Sequence, residues 1–430
     1  MRILVLGAYG LIGLPISRGL IGAGHQVTGL ARSEVLGLSR LPDADWIEAD
    51  IANLTDVESW TPFLSGVEAV VNASGALQDG SKDRLAALQS DAIRALIAAC
   101  ESAGVHRFVQ ISAPGASPDS DTAFYCTKGE ADAALKASTL DWTTFRPGVV
   151  IAPSAYGGSS LLRMLAAFPW VQPLVLPDAK IQTVAVDDVA LAVQYAITGR
   201  FNQTDLDLVE DMPHRLEDLV AAVRAWLGFK PAHAVLRFPR WVGYAVGKCA
   251  DGLGWLGWRS PLRTSALRVL ETNVIGDPEP YRAQSDRPVR ALSETLQMLP
   301  STLQERIFAR VQLVFPLLVI LLAAFWIASG VIGLWQWKAA VEVLGDSLSP
   351  VMAKAAVIGG GVIDIGIGLA VVCRPWLRLA CFAAVTVSLG YLAGGMLLTP
   401  HLWADPLGVF VKVFPGIGLA LAVASIAEER

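Results

Sequence analysis

Three glycines, each separated from the next by two residues, stand in Gly7-Ala-Tyr9-Gly10-Leu11-Ile12-Gly13. A turn of this kind lets a pyrophosphate approach bare backbone and rest on the N–H groups that open a helix, where the helix dipole favours negative charge. Small residues also serve close helix–sheet packing, so the spacing alone is weak. Its place between the apolar runs at 3–6 and 27–30 makes it a dinucleotide site. The end of the second run then chooses the nucleotide. An acid there would accept both ribose hydroxyls, and a cation would meet a 2′-phosphate. Ala31 offers no acceptor and Arg32 follows it, which favours NADP, with NAD the second choice; Arg32 as a solvated surface residue is the plainer alternative. Asp50-Ile51 could cap the adenine, and Asn72-Ala73-Ser74-Gly75 could line the nicotinamide side. Both stretches read equally as a turn or a helix cap.

The elements that must hold these residues alternate. Strands are expected at 3–6, 27–30, 46–49, 69–72, 107–112 and 143–150, with helices at 82–103 and 128–138. Alternation of this kind implies an α/β Rossmann-type, doubly wound parallel sheet covered on both faces. The basic start and apolar run at 1–16 could pass for a secretory signal, but the glycine spacing favours a strand and turn. Residues 206–305 change character, with amphipathic stretches at 216–227 and 293–310 and the tryptophans Trp241, Trp255 and Trp258. These tryptophans fit a membrane interface or, equally, a core.

Charged residues are only 17% of the 430, hydrophobic ones 53%, and the mean hydropathy is +0.48. An ordinary soluble domain has roughly 25% charged residues, so part of the chain belongs in lipid. Residues 311–430 hold six cations and six anions; the first 310 hold 28 Lys plus Arg against 33 Asp plus Glu. That mildly acidic balance argues against a nucleic-acid surface. Five cysteines without a CxxC pair suggest neither a disulfide framework nor a zinc site, and no metal is expected. Segments 311–334, 355–373, 377–398 and 407–427 are each near the ~20 residues a bilayer needs. The positive residues Arg306, Arg310, Arg374 and Arg378 set the orientation, with the soluble part and the C-terminus in the cytoplasm. The expected division is a nucleotide-binding domain at 1–205, a substrate or interface region at 206–305 and a four-span membrane domain at 306–430. Asp364 falls mid-span, where a carboxylate needs a partner, and Lys412 is expected to supply it; a protonated Asp364 bonded to backbone is the alternative.

Taken together, the glycine loop, Arg146-Pro147-Gly148 and Val186-Asp187-Asp188-Val189-Ala190 resemble the extended and atypical short-chain dehydrogenase/reductase superfamily, over about residues 1–200. NmrA-like proteins and the nucleotide-binding accessory subunit of respiratory complex I look most alike. The last 120 residues are similar to DoxX-like four-helix membrane domains, most clearly in Trp403-Ala-Asp405-Pro406-Leu-Gly408 and Val411-Lys412. The pairing implies a bacterial inner-membrane protein. Family reductases use a serine, a tyrosine and a lysine four residues after the tyrosine, and the resemblance assigns Ser112, Tyr125 and Lys128 to these roles. Here Phe124 stands four before Lys128 and Tyr125 only three, a departure that bears against ordinary carbonyl reduction. Positions i and i+3 still share a helix face. The expected function is a membrane-anchored NAD(P)-dependent oxidoreductase acting on an apolar small molecule, lipid-soluble or quinone-like by analogy with DoxX. The alternative is an NADP(H)-binding sensor or scaffold subunit without turnover.

Overall fold

The computed structural model describes residues 1–77, 79–80, 84–344, 347–406 and 408–427. Lys82 and Leu407, the expected starts of a helix and of a span, lie outside the described residues. The chain divides into two compact units, Met1–Gly252 with Ser260–Ala309, and Leu253–Arg259 with the residues from Arg310 onward.

In the first unit seven strands form one sheet: β1 (Arg2–Leu6), β2 (Gln26–Ala31), β3 (Asp45–Glu48), β4 (Ala69–Asn72), β5 (Arg107–Ile111), β6 (Asp141–Pro147) and β7 (Thr204–Leu208). Their order is β7-β6-β5-β4-β1-β2-β3, and every neighbouring pair is parallel. Alternate side chains of one strand enter opposite cores, as the pleat requires. Ile3 and Val5 pack with Ile16, Leu20 and Phe145, whereas Leu4 and Leu6 pack with Trp60, Ile93 and Phe108. Both faces are therefore apolar and need helices. α1 (Gly13–Gly22) and α4 (Val186–Ile197) cover the first face; α2 (Ala92–Ala103) and α3 (Ala123–Lys136) cover the second. Fully burying each of these large side chains contributes roughly 1.5 to 3 kcal/mol.

α3 begins five residues before the expected position because Thr122 caps it, its hydroxyl accepting from the Tyr125 amide at 3.4 Å. The expected helix at 293–310 is two helices, Leu292–Met298 and α6 (Leu303–Trp335). Pro300 separates them: it lacks an amide donor and holds Leu299 extended at φ −83°, ψ 125°. α5 (Arg240–Trp255) packs on the helix Thr264–Glu271.

The second unit contains the rest of α6, α7 (Pro350–Val372), α8 (Leu377–Leu398, entered by a tight turn at Arg374–Trp376) and α9 (Val413–Ile426). Three of these helices are long and apolar enough to cross a membrane, and α9 is a shorter apolar helix of 14 residues. It starts at Val413 instead of residue 407 because Pro406 and Gly408, the latter at φ +62°, hold a turn there. Helices approach closely where side chains are smallest. A Cβ on Gly330 of α6 would lie 2.4 Å from the Gly361 carbonyl oxygen of α7. Next to this contact, buried Asp364 accepts hydrogen bonds from the hydroxyls of Ser329 (2.8 Å) and Tyr391 (2.7 Å). The expected Asp364–Lys412 pair is thus corrected. Lys412 precedes α9 and is exposed, so the depth match that a longer helix would have given is absent.

Candidate nucleotide-binding and catalytic site

β1 lies between β2 and β4, so the strand order reverses at its carboxyl end, where open α/β sheets bind ligands. Gly7 follows immediately at φ +70°, its amide donating to Leu30 O at 3.1 Å, and Gly10 donates back to Gly7 O at 2.8 Å. A Cβ on Gly13 would fall 2.1 Å from Gly7 O, so the turn closes only over glycine. Tyr9, Leu11 and Ile12 are half-buried in the same turn, and α1 starts after Ile12 with no side-chain cap. A cradle that a Cβ would fill, facing an uncapped helix start, fits a pyrophosphate.

Arg32 is exposed directly after β2, and Ser33 beside it caps the next helix, accepting from Leu36 N at 3.3 Å. A second cation reaches the loop from that helix. Arg40 Nη1 donates to Tyr9 O at 3.1 Å, and its guanidinium lies 5.7 Å from the Tyr9 ring centroid. Asp50 caps a single turn through Ala52 N (3.1 Å), and Ile51 is buried in the core.

Across the switch point, Asn72 Oδ1 accepts from the Ser74 amide (3.0 Å) and hydroxyl (2.6 Å), which fixes the Ala73-Ser74-Gly75 bend. That bend touches both other parts of the groove. A Cβ on Gly7 would lie 3.0 Å from Ala73 O, and one on Gly75 would lie 3.6 Å from Lys128 Nζ. Lys128 is buried, donates to Ile111 O at 2.9 Å and stands 5.9 Å from the centroid of the Phe124 ring. Burial lowers its pKa to about 8, against the opposing attraction of Asp132.

Ser112 and Tyr125 make other contacts. The Ser112 hydroxyl donates to Asp132 Oδ2 at 2.6 Å, and Arg146 Nη2 reaches the same oxygen at 3.4 Å and Asp205 Oδ2 at 3.1 Å. Burial pushes the Asp132 carboxyl above its ordinary value, while Ser112, Arg146 and Lys128 act the other way. Tyr125 is buried against Phe124, with ring centroids 5.2 Å apart. Burial also raises its phenol pKa, partly offset by the hydroxyl of Thr272. Among the described residues no hydrogen bond joins any two of Ser112, Tyr125 and Lys128. The ring that faces the lysine belongs to Phe124 and has no hydroxyl.

A family profile described as NAD(P)H-binding matches residues 7–162, and a second, the DoxX-like family, matches residues 323–421. The chain joins an NAD(P)H-binding domain to a DoxX-like domain. The 3-diazoavenalumate denitrifying reductase of a Streptomyces species is 28% identical over 315 residues, covering 61% of this chain and 99% of the relative. The UPF0659 protein YMR090W of Saccharomyces cerevisiae is 34% identical over 110 residues, and the chain spans only 48% of that protein's length. Among solved structures, the UDP-glucose 4-epimerase of Thermus thermophilus in complex with NAD aligns with a TM-score of 0.54 at 18% identity, covering 71% of this chain and 99% of the epimerase. The Bordetella bronchiseptica enzyme WbmH, also with NAD+, gives 0.52 at 17% identity, covering 72% and 98%. At under 20% identity these likenesses show the fold alone.

Within the NAD(P)H-binding domain, Arg40 and Asp132 were not among the expected site residues. Asp132 carried a signal, since it stands four residues after Lys128 on one helix face. Arg40 carried none, because nothing in its neighbourhood ties it to Tyr9 until the helix Glu34–Arg40 folds back.

Proposed function

We propose that this chain is a membrane-anchored, NADP(H)-dependent oxidoreductase of the atypical short-chain dehydrogenase/reductase type, reducing an apolar, lipid-soluble small molecule. The observation that carries the reading is the meeting of the Gly7–Gly13 turn, the Ala73-Ser74-Gly75 bend and Lys128 at the carboxyl end of the central strands. A nicotinamide nucleotide held there supplies hydride. Gly7, Tyr9, Gly10, Leu11, Ile12 and Gly13 take the pyrophosphate, Arg32 the 2′-phosphate, Asp50 and Ile51 the adenine, and Ala73, Ser74 and Gly75 the nicotinamide side. Lys128 holds the ribose. The long apolar helices and the DoxX-like match support anchoring in a bacterial inner membrane, and Arg374 with Arg378 supports an orientation with the nucleotide domain in the cytoplasm.

The contacts of Phe124 and Tyr125 bear on the hydride acceptor. Carbonyl reduction needs a proton delivered to the new alkoxide, and a phenol beside the lysine is the family's source of it. With Phe124 in that place, an acceptor that takes hydride at an electron-poor centre without such a proton is favoured. A relative whose name gives a diazo compound as the substrate of its reduction supports this class. NADPH oxidation, followed with diazo, quinone and carbonyl acceptors in wild type, Ser112→Ala, Tyr125→Phe and Lys128→Ala, tests it. Lys128→Ala should weaken nucleotide binding, whereas Tyr125→Phe should keep most turnover. A hundredfold or greater loss in Tyr125→Phe would restore Tyr125 as the proton donor. The absent phenol also favours the sensor reading, which predicts tight NADPH binding and no oxidation with any acceptor.

A further inference from the structure

α5 packs one side onto its own unit and leaves the other bare. On the packed side Gly243 lies against Val175 and Leu267, Tyr244 donates to Glu271 Oε2 (2.8 Å), and Asp251 Oδ2 accepts from the Thr264 hydroxyl (2.6 Å). On the bare side Trp241 is 71% exposed, Val246 45%, Leu253 40% and Trp255 77%, and Leu256 continues the row. At about 100° per residue these positions share one half of the helix surface. Single exposed apolar residues need no explanation, but a contiguous row with two tryptophans does.

Two observations say what covers that face. The first is continuity. The end of α5 and the loop after it, Leu253–Arg259, belong to the unit that holds the apolar helices. Trp258 Nε1 donates to Val372 O (2.6 Å), the Arg374 amide donates to Leu256 O (2.9 Å), and the Arg374 guanidinium lies 5.5 Å from the Trp258 ring centroid. Within that unit the segment Leu253–Arg259, which includes the last residues of α5, is thus fastened to the turn between α7 and α8, the level at which a spanning chain leaves the hydrocarbon. The second is charge. α5 itself carries the exposed cations Arg240 and Lys248 against the single acid Asp251, in a chain of net charge −5. A helix with a net positive charge, a tryptophan-bearing apolar face and too few residues to span is the form that lies in a bilayer interface.

We propose that α5 lies along the headgroup layer of the membrane, with Trp241, Val246, Leu253 and Trp255 at the acyl boundary and its cations on anionic phospholipid. The proposal rests on the reading of α6, α7 and α8 as membrane spans, and the test separates the two. The full chain, with its own cysteines replaced by alanine, is reconstituted in vesicles of phosphatidylcholine and phosphatidylglycerol in equal parts. It is spin-labelled singly at Trp241→Cys, Val246→Cys or Leu253→Cys, with Arg94→Cys on the exposed side of α2 and Ile363→Cys on α7 as references. NADPH binding by each labelled chain verifies folding, and the Val246 and Leu253 positions suffice if the Trp241 variant fails. The three α5 labels should collide with a water-soluble nickel chelate several-fold less often than the Arg94 label. They should collide with oxygen more often, at a depth shallower than Ile363. Nickel access equal to that at Arg94, with Ile363 still shielded, overturns the proposal and leaves the spans intact. Exclusion of both nickel and oxygen from α5 overturns it in favour of a protein cover such as a second copy. Nickel access at Ile363 itself removes the spans and the proposal together.

Discussion

Arg32 stands exposed at the terminus of β2 and Arg40 reaches Tyr9 O from the following helix, and both are proposed to face the adenosine end of the groove. Only a nucleotide carrying a 2′-phosphate gains a charge-assisted contact from such cations. Arg32→Ala should therefore weaken NADPH roughly tenfold, the scale of one hydrogen bond to a charged group, while NADH changes little. Titration of both nucleotides decides it, and equal losses would end the 2′-phosphate assignment. Lys128 makes a pH-dependent prediction. Its folded pKa of about 8 lies below the ordinary 10.5, so between these values the unfolded chain keeps a proton that the folded chain has shed. Stability without nucleotide should rise with pH across that window, by an amount on the order of 3 kcal/mol at most. Lys128→Met should abolish the rise and be no less stable than wild type at pH 7. Urea unfolding at pH 7 to 10 measures both. A wild-type stability that is flat across the window would mean the ammonium is better solvated than its burial indicates.

At the scale of elements, the parts of the site that could be read from sequence are those written in local pattern. β1, β2 and β4 are short apolar runs closed by small or turn-forming residues, and Gly7, Gly10 and Gly13 stand where one of them meets a helix. β7 escaped because Asp205 and Asp207, residues depleted in strands, interrupt the short run Thr204-Asp-Leu-Asp-Leu, and its partner β6 lies far in sequence. The contact of Tyr125 with Thr272 escaped for a similar reason, since no spacing links a helix start to a residue so distant along the chain. Phe124 was legible as a departure, but which ring faces Lys128 depends on where Thr122 starts α3. The turn itself offers a sharp test. Gly13→Ala adds a Cβ where Gly7 O already stands, and overpacking of this kind typically costs about 1 to 3 kcal/mol. The variant should melt lower and lose nucleotide affinity, because relief of the clash must open the Gly7 turn. Unchanged affinity in calorimetric titration would show that the nucleotide does not rest on this turn.

At the scale of the whole molecule, the number of crossings decides on which side of the membrane the C-terminus lies. α6, α7 and α8 are each long enough to cross. α9, at 14 residues, is about 21 Å long at 1.5 Å per residue, short of a ~30 Å core. The turn before it carries Val409, Phe410 and Val411, and Phe410 packs against Trp403 with ring centroids 5.2 Å apart. This apolar turn can make up the missing depth, with exposed Lys412 extending its stem to the interface. The cations set the orientation and not the number of crossings, since Arg306, Arg310, Arg374 and Arg378 fall on one side once α6 and α7 cross. A reporter active only outside the cytoplasm should stay silent when fused after Arg430 and become active when inserted at Ser347. Activity at both sites would leave α9 as a re-entrant helix that enters and leaves by the same face. Silence at Ser347 with activity at the C-terminus would reverse the orientation and place the nucleotide domain outside the cytoplasm, away from the NADPH pool its groove is proposed to use.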